Sequence, residues 1–223
     1  MTATIGYSSV LVALLLALWG IIAPIIGSRT GRERFFASTR AAILGQFFFV
    51  TLASASLIYA LVTVDFSVKY VAFNTTRATP VYYRVTGLWG ALEGSLLLWE
   101  WILIIFSGLV AWIYKDRHRE LMPWVLMIFS TVSAFFLAVI GFASNPFESV
   151  FPVPLDGRGL NPLLEDANMI THPPLLYTGF VGLTVPYAFA MAALIIGKLD
   201  EAWIVTTRRW TITAWFFLTM GNL

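Results

Sequence analysis

A chain of 223 residues in which 59% are hydrophobic and only 12% charged is too apolar for water alone, since soluble domains carry about a quarter charged residues. Part of its surface therefore has to face lipid. A formal charge of +2, spread along the chain, is too small for a nucleic-acid-binding patch, and the absence of cysteine excludes disulfides and thiol chemistry by this chain.

A membrane span needs about 20 apolar residues to cross roughly 30 Å of hydrocarbon. In chain order the first candidate is Tyr7–Ile26. No basic segment precedes it and no small-residue cleavage site follows, so it reads as a retained span rather than a signal peptide. Ala41–Val64, Leu96–Tyr114, Leu121–Ala143 and Pro174–Gly197 follow, and Glu100 is the one Asp, Glu, Lys or Arg in all five. Trp210–Leu223 opens like a sixth span. At about 1.5 Å per residue it reaches only about 21 Å, so the sequence reads as truncated or as one piece of a split protein. In lipid such runs must be helices, which satisfy their own backbone. The predicted fold is all-α: a polytopic transmembrane helix bundle with five complete spans and a truncated sixth, forming a single domain over residues 1–223.

Basic residues set the predicted orientation. Alternate loops hold Arg29, Arg32, Arg34 and Arg40, then Lys115, Arg117 and Arg119, then Lys198, Arg208 and Arg209. The other side has Lys69, Arg77, Arg84 and Arg158. By the positive-inside rule the first set is cytoplasmic and the N-terminus lies outside. Two long outer loops, at about 66–95 and 144–173, are rich in acidic residues, glycine and proline. Long loops tend to be functional rather than connective, so function is expected on the outer face.

Of two histidines, His118 sits in the mixed-charge segment Lys115–Glu120 and reads as part of a solvated topology signal. His172 lies in Thr171-His172-Pro173-Pro174, where the second outer loop enters the fifth span. The prolines suit the first turn of a helix and would fix the imidazole at the membrane surface beside Tyr177. Neutral imidazole is a common metal and haem ligand; the alternative is a hydrogen-bonded structural histidine.

The segment Gly87–Trp99 is the second unusual stretch. Its glycines and Ser95 permit close backbone approach. Glu93 reads as an interfacial carboxylate, and Glu100, one turn into the bilayer, should face protein or water. The plain alternative has both anchoring the helix end and pairing with a base such as Arg84. Trp89, Trp99, Trp101, Trp112 and Trp124 fall near predicted interfaces, as belt residues or as an aromatic cradle for a flat apolar ligand such as a porphyrin. No Walker loop, dinucleotide fingerprint, H-E-x-x-H or G-x-S-x-G occurs, and the complete spans contain no histidine.

At three stretches the sequence resembles the cytochrome c-type biogenesis protein CcmF family, relatives of the CcsA-type haem handlers. They are Trp89-Gly90 with Glu93–Trp99, then Asp156–Leu164, then His172–Tyr177 with Gly179 after it. The likeness covers nearly the whole chain and corresponds to the N-terminal third of a full-length member. It implies a membrane subunit of a haem lyase, which joins haem to apocytochrome c on the outer face of the membrane. His172 matches the family's axial-ligand histidine, while Trp89 and Tyr177 are candidate porphyrin contacts; no catalytic residue is assigned. Implied partners are a CcmE-like haem chaperone, a CcmH-like thiol protein, the remainder of CcmF, apocytochrome c and the lipid bilayer, with no nucleic acid. The implied location is the bacterial inner membrane, with the mitochondrial inner membrane a second choice.

The sequence departs from the family at Leu92, where histidine is common, and at Glu100. The family's tryptophan-rich segment, its second outer ligand histidine and its intramembrane histidines would all follow residue 223. The chain alone is therefore not expected to complete the site. A rival reading is a non-catalytic scaffold subunit, or an inactive fragment, within a larger respiratory or photosynthetic complex.

Overall fold

The computed structural model describes residues 1–198 and 201–223, and its regular structure is helical among the described residues apart from one isolated bridge between Val68 and Ser149. The helices are α1 Thr2–Thr30, α2 Glu33–Thr63, α3 Lys69–Asn74, α4 Val81–Thr86, α5 Leu92–Ile113, α6 Met122–Phe142, α7 Asn168–Gly182, α8 Thr184–Ile196 and α9 Ala202–Gly221. Five helical stretches are long and apolar enough to cross a membrane: α1, α2, α5, α6 and the continuous run Asn168–Ile196. They coincide with the five runs expected from hydropathy.

Most helices overrun their apolar runs. α1 adds several residues at each end, and α2 starts at Glu33 rather than Ala41. Hydropathy marks the length immersed in hydrocarbon, whereas helical hydrogen bonding continues into the polar interface. α9 similarly starts eight residues before Trp210 and carries Arg208 and Arg209 on its first half.

The fifth run is two helices rather than one. α7 ends at Gly182 and α8 starts at Thr184. Pro186 has no N–H to give the carbonyl of Gly182, and its ring disfavours a continuous helix there. The two halves have different main neighbours, α9 for α7 and α6 with α9 for α8.

Small residues line the main seam. Gly6, Ala13, Ala17, Gly20 and Gly27 of α1 are buried, largely against α2 and α6, the kind of surface that lets helices approach closely in lipid. Two apolar clusters stack along the bundle. One, at the end carrying both long loops, joins Val10, Leu57, Leu97 and Ile140 to the loop residues Tyr70, Leu88 and Phe147. The other, towards the basic end, gathers Ile43, Phe106, Val125, Phe129 and Phe189.

Polar side chains run through the interior. Glu100 is fully buried, and Ser133 Oγ donates to its Oε1 at 2.5 Å. Gln46 Nε2 reaches Ser130 Oγ at 3.5 Å, one turn along α6. Glu100 lies more than two turns inside α5, which starts at Leu92. Nor does it pair with Arg84. That guanidinium instead donates to three carbonyls, Val62 O at 3.0 Å and Thr79 O and Arg77 O at 2.8 Å, joining the last turn of α2 to the loop before α4.

A buried carboxyl with one donor makes that donor expensive to lose. Ser133→Ala is expected to lower stability by about 1–3 kcal/mol, since it strips the Glu100 carboxyl of its hydrogen bond. The double variant Ser133→Ala/Glu100→Leu should recover most of that loss, as apolar replacement of both partners is near neutral. Thermal unfolding in detergent, read as a double-mutant cycle, measures both.

Candidate functional site

The three unusual sequence motifs meet at the loop end of the bundle. The first 3-residue turn, Gly87–Trp89, precedes α5 and is held from below by Tyr70 of α3. The Tyr70 hydroxyl donates to Gly87 O at 2.8 Å, lies 3.1 Å from Leu88 O, and accepts from Ala91 N–H at 3.3 Å. Burial pushes its phenol far above the ordinary value, so it stays a neutral donor. Gly94 lies directly over this anchor. A Cβ there would overlap both Leu88 O and the Tyr70 hydroxyl, which is why no side chain fits.

The second motif wraps the end of α3. Arg158 N–H donates to Ala72 O at 2.8 Å and Gly159 N–H to Thr75 O at 3.4 Å. Gly157 passes so close to the Thr75 carbonyl that a Cβ would collide with it. Asp156 Oδ1 accepts backbone N–H groups of Arg77 at 3.0 Å and Gly157 at 2.8 Å. These bonds, with that of Arg77 the largest, hold its carboxyl below the usual carboxylate value. The Arg158 guanidinium stands 3.9 Å over the Phe73 ring, a close cation–π contact. Buried Leu160 then fits beside Gly90, where an added Cβ would lie 2.7 Å from Leu160 Cδ1. The side chain of Leu163 lies outside the described residues.

The third motif is tied to the first through one carbonyl. α7 starts at Asn168, whose N–H is taken by Asp166 Oδ1 at 2.8 Å. His172, Pro173 and Pro174 thus lie inside a helix, a turn beyond the boundary expected from the prolines. Pro173 has no N–H for Met169 O, its usual helical acceptor. Trp89 Nε1–H supplies that bond instead, at 2.8 Å. The backbone one turn before His172 is therefore fixed by the Trp89-Gly90 motif.

His172 itself is exposed and makes no hydrogen bond among the described residues. Exposed apolar side chains occur on the elements around it: Ile170 on α7, Tyr82 on α4 and Leu92 on α5, α4 and α5 both touching α7. Trp89 is half-buried, and Tyr177 is half-buried with its ring 5.1 Å from that of Trp99. Trp99 also stacks on Phe180 at 6.5 Å, and Trp101 Nε1–H donates to Thr51 Oγ1 at 3.1 Å. These two tryptophans are half-buried against neighbouring helices, whereas Trp112 is open. Glu93 lines a shallow recess of about 250 Å³ with Lys69, Asn145 and Glu148, and Lys69 pairs with Glu148 at 2.7 Å. That volume is below the range of most small-molecule pockets. His118 lies at the opposite end, within 3.3 Å of Thr206 Oγ1. Nothing in the sequence marks Tyr70, a tyrosine in a long loop that also holds Tyr82 and Tyr83.

Geometry and composition together define a multi-pass, all-α membrane protein whose loop end presents an unpaired histidine on a braced helix. The sequence model described as cytochrome C assembly protein matches residues 89–223, and the chain belongs to that family. It is 42% identical to the cytochrome c-type biogenesis protein CcmF of Haemophilus influenzae over 99% of its length, and 43% identical to CcmF of Escherichia coli over 97%. It spans about a third of each relative, 34% in both cases. A solved structure titled cytochrome c heme lyase CcmF superposes with a TM-score of 0.85 at 32% identity, covering 99% of this chain and 35% of that one.

Two predictions test this bracing. Trp89→Phe keeps a ring but deletes the N–H, and is expected to cost about 1 kcal/mol and to speed amide exchange over residues 168–172. For Asp156, a folded-state value below the usual 3.8 means that its contribution is present above that pH and lost as pH falls through the folded value. Protection of the Arg77 and Gly157 amides, relative to intrinsic exchange at the same pH, should therefore fall in acid, and Asp156→Ala should leave it low at every pH.

Proposed function

We propose that this chain forms the haem-receiving face of a cytochrome c haem lyase, with His172 as one axial ligand of the incoming haem. The observation that carries the proposal is the exposed, hydrogen-bond-free imidazole on a helix locked by Trp89. A ligand needs a nitrogen lone pair open to iron and a steady point of attachment, and an exposed imidazole on a braced turn of α7 supports that reading. Haem is here the substrate. The residues present fit it: imidazole for iron, and exposed apolar side chains on α4, α5 and α7 for the porphyrin.

Trp89 positions His172 through the Met169 carbonyl, and Tyr177 helps form the wall beneath the porphyrin. His118 is at the far end of the bundle, so this chain offers one face of the iron. The bias of basic residues towards the opposite end supports placing the loop end, and the N-terminus, outside the bacterial inner membrane. Apocytochrome c would meet the haem there, with CcmE-like and CcmH-like proteins and the remainder of CcmF as partners. Joining the two adds a cysteine S–H across a haem vinyl group: sulfur bonds one carbon, the proton goes to the other, and no group leaves. The protein's contribution is to hold the haem while the thiol approaches.

The test is haem titration of the intact protein, wild type against His172→Ala, with cytochrome c maturation scored in cells. Changes even to residues supporting a metal ligand cost about 10–100-fold in affinity or activity, so the variant is expected to bind haem at least about tenfold more weakly. Circular dichroism should be unchanged. Equal haem affinity and normal maturation in a folded variant would overturn the assignment.

A further inference from the structure

At the basic end, the termini of α2, α5 and α6 surround a recess of about 540 Å³. Its rim carries Arg40, Lys115, Arg117 and Arg119 against two carboxylates, Glu33 and Glu120. Glu120 is already engaged by Lys198, and Lys115 by Asp116 at 3.9 Å. Among the described residues, Arg40, Arg117 and Arg119 form no ion pair. Three guanidinium groups thus line one recess without an ion-pair partner, against the single unengaged carboxylate of Glu33.

Arg40 differs from an ordinary topology-setting arginine. It lies two turns into α2, about 10 Å along the helix from Glu33, and its Nε is sealed from solvent without an acceptor. A buried guanidinium N–H without a partner is uncommon in a native protein. The floor of the recess is apolar, formed by Phe36, Met122 and Leu126. Charge above and hydrocarbon below match an amphiphile rather than a free ion, and the planar guanidinium fork suits a phosphodiester. We propose that this recess is a binding site for the headgroup and upper acyl chains of an anionic phospholipid, with Arg40 and Arg117 contacting the phosphate. Basic clefts between helix ends on the positive side of a membrane hold such headgroups. The site is at the opposite end from His172 and does not depend on haem binding.

The experiment uses the intact protein in detergent, followed by thermal unfolding and native mass spectrometry. The additions are phosphatidylglycerol, phosphatidylcholine or inorganic phosphate. Phosphatidylglycerol is expected to raise the unfolding temperature and to remain bound in the mass spectrum, while phosphatidylcholine does neither. Each basic residue near a lipid surface contributes roughly a fivefold change in binding, so Arg40→Gln/Arg117→Gln should weaken the phosphatidylglycerol response by about 25-fold. If that variant does not fold, Arg117→Gln alone, on the exposed rim, should weaken it about fivefold. An undiminished response in either folded variant, no response in wild type, or an equal response to phosphatidylcholine overturns the proposal. An equal response to inorganic phosphate overturns the lipid assignment in favour of a free-anion site.

Discussion

One peptide carbonyl connects the parts of the loop end. Pro173 cannot donate to Met169 O, which leaves that carbonyl without its usual helical partner. Trp89 takes it at 2.8 Å, so the defect that proline introduces into α7 becomes the attachment point for another motif. Trp89 can reach only because Gly87–Gly90 is pinned to Tyr70. The α3 carrying Tyr70 is in turn clasped by Gly157–Gly159 through Ala72 O and Thr75 O. Motifs separated by more than 60 residues are thereby consecutive links of one hydrogen-bonded assembly, with His172 at its edge.

This chain of dependence explains what could be read from sequence. Apolar run lengths find the spans because the bilayer thickness imposes them, whatever the partners. The fifth run looked continuous because Pro186 sits among apolar residues, and hydropathy does not register a missing N–H. The start of α7 was placed at the prolines, which favour first turns; the Asx contact from Asp166 to Asn168 sets it earlier. His172, Trp89 and the Asp156–Leu164 segment stood out as motifs. Their mutual contacts did not, since Trp89 meets Met169 only after α3, α5 and the long loop have packed. Tyr70 was invisible for the same reason: its importance lies in three backbone groups that folding brings to it.

The bundle interior follows a different rule from the loop end. Glu100, Ser133, Gln46 and Ser130 are all fully buried where lipid-exposed polar groups would be unfavourable. They form contacts between α5 and α6 and between α2 and α6. Helices in lipid gain little from hiding apolar surface from one another, so packing of small residues and such polar contacts decide which neighbours they choose. The alanine and glycine face of α1 and this polar core therefore fix the frame on which the loop end is built.

The interruption at Leu183 gives that frame a joint. The usual bond from residue 186 to the Gly182 carbonyl is missing, so bending resistance falls where α7 meets α8. The upper segment leans mainly on α9, the lower one on α6 and α9. Any strain carried by α9 therefore falls most heavily on the imidazole-bearing segment, whereas the lower segment has α6 as a second support.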